Sequence, residues 1–470
     1  MNLNKIIDNY ENEIIKSTQE IIKIKSIEEN EKEGMPFGEG VNNALKNILN
    51  LCQNLGFKTK NVNNYAGFAE IGSGNETIGI LVHLDVVPEG DLSTWKFPPY
   101  SATISDGKIF GRGAIDDKGP AIAAIYAMKA LLDSNENINK KIRIIFGLNE
   151  ETHWKSINYY LKHEEIPDLS FTPDADFPVI HGEKGILVFN INKIFKEKIN
   201  DAGIEIISID GGNRPNMVPD YAEAKLIENK PFKHILDAYN SENNINIEYE
   251  QHDNYVTLKS YGILAHGATP EKGKNAISYL INFLALIDLQ ISDTSSFIRF
   301  FSNHISTEIN GETIGCQLED EISGKLTFNV GTIKLDETSV QLGINIRYPI
   351  TFNEADVYNG IDNILSTSIY NFDNKIKIEK IEHMNPIYFE KNHKLIETLM
   401  TVYKRHTKDN SEPLTIGGGT YARSMKNAVA FGPLFPGREG TEHQSNEYIY
   451  IEDLMLATKI YADALRELTK

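Results

Sequence analysis

The stretch IGILVHLD, residues 78–85, decides the fold. It is apolar, too short for a typical helix and rich in branched residues, so it reads as a buried strand that ends in His83-Leu84-Asp85. Lys118-Gly119 then opens PAIAAIYAMKALL, a helix ending near Ser134. KIRIIFGLNEE, residues 141–151, reads as a second buried strand, WKSINYYLKHEE as a helix, and FTPD, near 171–174, closes a third short strand. Alternation of this kind predicts an α/β domain around a mostly parallel sheet.

Upstream, the apolar spacing over residues 3–24 is helical, and a second helix reads from about Val41 to Leu55. After about Gly185 the pattern changes. ILVFNI, IEIISI, INIEYE, YVTLKS, KLTFNV and VQLGINIRY are β-rich, with helices near 273–289 and 354–368 between them. Beyond Pro386 long helices return, over 390–407 and 451–468, around a glycine-rich stretch. The expected organisation is a first domain in two parts, 1–185 and 386–470, interrupted by an inserted α+β domain over 186–385.

The 470 residues carry 47 basic and 66 acidic side chains, a net charge of −19, which repels phosphate backbones and argues against a nucleic-acid partner. Two cysteines, Cys52 and Cys316, build neither a disulfide framework nor a thiolate zinc cluster. The N-terminal residues carry acids where an export signal needs an apolar run, and no apolar stretch reaches the ~18 residues of a spanning helix. The expectation is a soluble, cytoplasmic protein without membrane contact.

Polar residues concentrate where those strands end: His83 and Asp85 after the first, Asn149-Glu150-Glu151 after the second, Asp174 after the third. GRGAIDDKGP sets Asp116 and Asp117 just before a helix. Taken singly, a paired glutamate is usually surface, a DD pair usually caps a helix, and an aspartate after proline usually sits in a turn. Taken together they fall on one edge of an open α/β sheet, where ligands bind at the carboxyl ends of strands. Histidine with carboxylates suits zinc, cobalt or manganese. The HExxH zinc motif, the GxxxxGK[ST] phosphate loop and the GxSxG elbow are all absent. Near the C-terminus, TIGGGTYAR (415–423) lets backbone approach a ligand closely, and GREGTEHQSNE (437–447) sets His443 among polar residues.

VHLDVVPEGDLSTWKFPPYSATISDGKIFGRGAIDDKGP, followed in order by NEET, PDADFPVIHGEKG, AHGATPEKGKNA and a late EH, resembles the di-metal exopeptidase family of aminoacylase, carnosinase and carboxypeptidase G type, within it most closely the dipeptidase V branch (Xaa-His or β-alanyl dipeptidases). The resemblance implies a zinc-exopeptidase-like fold, a lid made by the insertion, and two divalent cations, zinc foremost, with manganese or cobalt as alternatives. It implies that His83 and Asp174 hold one cation and Glu151 and His443 the other, with Asp116 bridging them and a cis peptide following it. Asp85 would orient the His83 imidazole, and Glu150 would be the general base. From the lid, His266 in AHGATP would donate to the oxyanion, Asn216 in NRPNMVP would lie near the substrate, and Arg347 in INIRYP would pair with its C-terminal carboxylate. Gly418, Gly419 and Thr420 would line the pocket. The residue-level alternative for Arg347 is a strand arginine in a surface salt bridge.

The enlarged insertion implies a monomer, since in that branch it mimics a dimer within one chain. The expected activity is hydrolysis of small dipeptides with free termini. The alternative is an N-acyl amino acid deacylase, of deacetylase or desuccinylase type, using the same cations and base.

Overall fold

The computed structural model describes residues 2–134, 136, 138–196, 202–371 and 375–470. Strand Thr77–His83 is buried along its whole length and lies inside the sheet, hydrogen-bonded in parallel to Lys141–Gly147 on one side and Leu169–Thr172 on the other. Ala428–Ala430 joins in parallel beyond Leu169–Thr172, so four parallel strands form the centre. Antiparallel strands Ala66–Gly72 and Lys58–Val62 extend one edge, and Ile180 pairs antiparallel at the other. Because both faces of the centre are covered, its strands read as continuous apolar runs rather than alternating ones.

Helix Lys118–Ser134 is apolar on nearly every side and correspondingly buried, against helix Ile451–Leu468 and the N-terminal helices Leu3–Asn9 and Glu11–Ile22. Gly147, closing the second strand, touches the ring of Tyr421: a Cβ there would stand 2.3 Å from the tyrosine hydroxyl.

The chain divides into two compact units. The first comprises residues 1–181, 389–414 and 419–470 and contains the sheet just described. The second comprises 182–388 and 415–418. Its eight-stranded antiparallel sheet runs in the order Asn246–Gln251, Val256–Tyr261, Tyr221–Ile227, Glu205–Gly211, Thr327–Leu335, Ser339–Tyr348, Gly185–Ile194, Ile376–Met384. Helices Lys233–Asn243, Ala276–Leu284, Asp293–His304 and Glu354–Thr367 supply the rest of its core. Among the described residues, no helix is long and apolar enough to cross a membrane.

Candidate metal centre and active site

His83 is the last residue of its strand, Glu150 and Glu151 follow the end of Lys141–Gly147, and Asp174 follows the end of Leu169–Thr172. Parallel pairing aligns these three ends: His83 lies opposite Gly147, and the Leu84 amide donates to the Gly147 carbonyl at 3.0 Å. Asp116 arrives on the loop before helix Lys118–Ser134, and the Asp116–Asp117 peptide is cis. His443 comes from the loop before Tyr448–Tyr450.

Asp116 stands between the two histidines. Its Oδ1 is 2.8 Å from His83 Nε2 and its Oδ2 is 2.9 Å from His443 Nε2. Asp174 Oδ1 lies 3.9 Å from His83 Nε2 on one side, and Glu151 Oε2 lies 3.1 Å from His443 Nε2 on the other. Ligand atoms of His83, Asp116 and Glu151 fall within 4.8 Å of one another, as do those of His83, Glu150 and Asp174. These are the seven first-unit residues singled out for the centre, Asp85 included, and the fold brings all of them together.

Asp85 has a different geometry from the one expected. It is the backbone carbonyl of Asp85 that meets His83 Nδ1, at 3.0 Å, while its carboxylate is 3.6 Å away. The carboxylate instead accepts the amides of Glu150 and Glu151, each at 3.1 Å. Asp117, buried, accepts the His83 amide at 3.2 Å.

The electrostatics follow from crowding. Burial and the facing Asp174 carboxylate push Glu150 well above the usual carboxylate range. Burial and Asp116 push Glu151 up to about 7. Burial also opposes charge on His83, but Asp116, Asp174 and Asp85 outweigh it and hold the imidazole well above its ordinary value. Asp116 moves the other way: His443 and His83 together outweigh its burial and hold it far below the usual range. Two histidines thus face a larger set of enclosed carboxylates. His83 Nε2, fully buried, is aimed at them without a directed hydrogen bond. A buried nitrogen of this kind amid carboxylate oxygens fits divalent cations, which neutralise the carboxylates and use the nitrogen as a ligand.

Asn216, His266 and Arg347 belong to the second unit, and the first two are neighbours. Met217–Val218 pairs with Ala265–His266, and the Gly267 amide donates to the Asn216 carbonyl at 2.7 Å. His266 Nδ1 accepts the Ala268 amide at 3.3 Å, so in the neutral ring Nε2 carries the proton. Arg347, only 5% exposed, donates from Nε to Asn345 Oδ1 and from Nη1 to the Gly417 carbonyl, both at 3.0 Å. Gly417 in turn packs on Ala268. Gly418 closes the segment of the second unit that holds Gly417, and Gly419 and Thr420 fall in the first unit. The Thr420 hydroxyl caps the short turn Tyr421–Ser424 by accepting the Ala422 amide.

Sequence reading passed over Arg112 and Glu447, although both stand inside quoted motifs, GRGAIDDKGP and GTEHQSNE. A charged pair distant in sequence gives no local signal that it is buried. It also passed over Tyr421, whose ring meets the His83 imidazole edge-on at 6.2 Å between centroids.

Two histidines sharing an aspartate, flanked by glutamates near the carboxyl ends of a parallel sheet, form a candidate metal site of the kind that hydrolases working with a pair of cations use. The chain belongs to peptidase family M20/M25/M40, whose profile matches residues 79–467. It is 40% identical over 467 residues to a Bacillus subtilis protein named "Putative dipeptidase YtjP", covering 97% of both chains. A Staphylococcus aureus protein also named as a dipeptidase of this kind is 37% identical over 470 residues, with 98% of each chain covered. Among solved structures, human carnosine dipeptidase 1 matches with a TM-score of 0.62 at 15% identity, covering 99% of this chain and 98% of its own. Aminoacylhistidine dipeptidase from Vibrio alginolyticus matches at 0.56 and 14%, covering 96% of both. These two likenesses show the fold.

Proposed function

We propose that this member of the family is a metal-dependent dipeptidase that hydrolyses short peptides with free termini. The observation that carries the reading is Asp116, whose two oxygens meet His83 on one side and His443 on the other. His83 and Asp174 would hold one divalent cation, His443 and Glu151 a second, with Asp116 shared. Zinc is the first choice, and manganese or cobalt suits the same donors. When bound, the cations supply Lewis acidity to a water and to the scissile carbonyl.

The chain's own residues divide the remaining work. Glu150 takes the proton of the attacking water and returns it to the leaving amine. Enclosure and the facing Asp174 carboxylate raise its proton affinity, which bears on the step in which it acts as an acid. Asp85 holds the Glu150–Glu151 backbone and, through its carbonyl, the His83 ring. His266 would offer Nε2–H to the developing oxyanion, and Arg347 would meet the substrate's C-terminal carboxylate, with Asn216 beside them. Gly418, Gly419 and Thr420 would line the substrate path. Free, buried Cys52 and Cys316 fit a reducing compartment, in keeping with a cytoplasmic enzyme. By its resemblance to the branch in which an enlarged insertion mimics a dimer within one chain, the protein would be a monomer.

Free dipeptides, tripeptides and N-acetyl amino acids, assayed with zinc, manganese and cobalt, test the reading. Turnover confined to dipeptides supports it. Turnover confined to N-acetyl amino acids replaces it with the deacylase.

A further inference from the structure

A buried ion pair beside the centre takes no part in the chemistry assigned above. Arg112 is 2% exposed and Glu447 is fully buried, and Arg112 Nη1 donates to Glu447 Oε2 at 2.7 Å. An enclosed pair of this kind is a costly way to gain stability, because desolvation of both charges opposes their attraction. Its hydrogen bonds show what else it does.

Glu447 Oε1 accepts the amides of Ile115 and Asp116, at 3.1 and 3.3 Å. Arg112 donates to three carbonyls: Gln444 at 3.2 Å, Pro88 at 3.3 Å and His443 at 3.4 Å. The indole of Trp95 lies over the guanidinium, 5.3 Å from its ring centroid. One carboxylate and one guanidinium therefore join the loop of Asp116, the loop of His443 and the chain that leaves His83 and Asp85.

A second, independent observation concerns the His443 backbone. His443 has φ of +62° and Asn446 has φ of +63°, both left-handed, a region uncommon for non-glycine residues but one in which histidine and asparagine are enriched, so the chain bends sharply at both positions. The His443 side chain is half exposed and meets Asp116 and Glu151 only at its tip, so the main chain must set its reach. The Arg112 donors act on the carbonyls at that bend.

We propose that Arg112 and Glu447 are a positioning pair for the cation held by His443, Glu151 and Asp116, fixing the distance between the His443 and Asp116 loops. The proposal rests on the reading that these three residues bind a cation. Removing partners that orient metal ligands typically costs about 10–100-fold in metal affinity. Here the loss should fall on one cation of the two.

The test is titration of the metal-free full-length protein with cobalt(II), read by visible absorption and by elemental analysis, alongside its thermal unfolding. The variants are Arg112→Lys, Glu447→Gln, the double Arg112→Met/Glu447→Leu, and His443→Ala as reference. Intact protein should bind two ions and His443→Ala one. Arg112→Lys keeps the charge but not the planar fork, and should weaken the same ion about 10–100-fold while the other is unchanged. The double variant removes both charges together, so no lone buried charge remains; the amides and carbonyls that lose their partners should lower its unfolding temperature, and it should bind that ion as weakly as Arg112→Lys while the other ion is unchanged. Wild-type affinity for both ions in Arg112→Lys and in the double variant overturns the positioning role. Two ions bound tightly by His443→Ala overturn the metal reading itself, and the proposal with it.

Discussion

The Asp85 carboxylate accepts the main-chain amide of Glu150 at 3.1 Å, and its second oxygen accepts that of Glu151 at the same distance. One buried side chain thus couples the strand end that carries His83 to the strand end that carries both glutamates. The Asp85 carbonyl, at 3.0 Å from His83 Nδ1, selects the neutral tautomer in which Nε2 is unprotonated.

Asp85→Asn should therefore impair the centre through geometry. The amide replaces one acceptor oxygen by a donor facing an amide N–H, while the carbonyl contact to His83 is retained. We expect turnover and cation affinity to fall together by about 10–100-fold. Parallel measurement of kcat and metal content checks this. Loss of turnover with unchanged metal affinity would confine Asp85 to the glutamate backbone.

Glu150→Gln separates metal binding from chemistry. His83, Asp116, Asp174, Glu151 and His443 remain, so the metal content should stay at the wild-type level. Turnover should drop by at least the ~10²–10⁴ that general acid–base catalysis contributes. A variant with near wild-type kcat would place the base elsewhere.

Gly147→Ala should disturb the centre from behind. The added Cβ would lie 2.3 Å from the Tyr421 hydroxyl and 2.4 Å from its Cε2, and Tyr421 is 1% exposed with no room to retreat. Overpacking of this kind costs roughly 1–3 kcal/mol. Thermal unfolding reads that loss, and because phenylalanine keeps the ring atoms that the Cβ meets, Gly147→Ala/Tyr421→Phe should recover little of it.

Asp463 supplies a pH dependence remote from the metal residues. Burial pushes its carboxyl up, but His406 Nε2 at 3.1 Å and Arg405 Nη1 at 2.7 Å outweigh burial and hold it below the usual range. A folded-state value below the unfolded one adds stability that is complete above the unfolded pKa, about 4. That stability is lost as pH falls through the lower folded value. Asp463→Asn should then unfold at a lower temperature than the intact protein at pH 7, and the gap should narrow as pH falls below about 4. A gap that persists unchanged to acid pH would assign the effect to packing.

Much of the first unit was legible because its strands are buried on both faces. IGILVHLD is apolar up to His83, KIRIIFG is interrupted inside only by Arg143, which pairs with Glu70, and helix Lys118–Ser134 is apolar almost throughout, so type and position could be read directly. His83, Glu150, Glu151 and Asp174 stood out because strand ends concentrate them, whereas Asp116 and His443 lie on loops and stood out by their polar surroundings. In the second unit two helices went unlocated for reasons of capping. Helix Lys233–Asn243 begins after Phe232 with no side-chain cap, and Asp293–His304 is capped by a Ser292–Ser295 box in which serine replaces the usual Glu or Gln. The segment 415–418, read with the glycine-rich C-terminal stretch, belongs to the second unit. There the Gly417 carbonyl meets Arg347, a contact between positions 70 apart that no local pattern announces.

That contact shapes the last prediction. Arg347 is buried, and two of its donors are engaged by Asn345 and the Gly417 carbonyl, so its guanidinium is held in one orientation. A guanidinium fixed in this way suits the planar C-terminal carboxylate of a dipeptide, and lysine offers no equivalent fork. Removing one partner of an enclosed charge pair costs about 2–5 kcal/mol. Arg347→Ala should therefore raise KM for a dipeptide by at least about 30-fold, which is 2 kcal/mol at 1.4 kcal/mol per tenfold, and Arg347→Lys should recover little of it. The dipeptide amide has no carboxylate to pair, so it should be a poor substrate for the intact enzyme and barely poorer for Arg347→Ala. A tetrapeptide should be cleaved by neither. Steady-state kinetics on the acid, the amide and the tetrapeptide decide the matter. Equal kcat/KM for acid and amide with the intact enzyme would remove Arg347 from substrate recognition and leave it the structural task of holding Gly417.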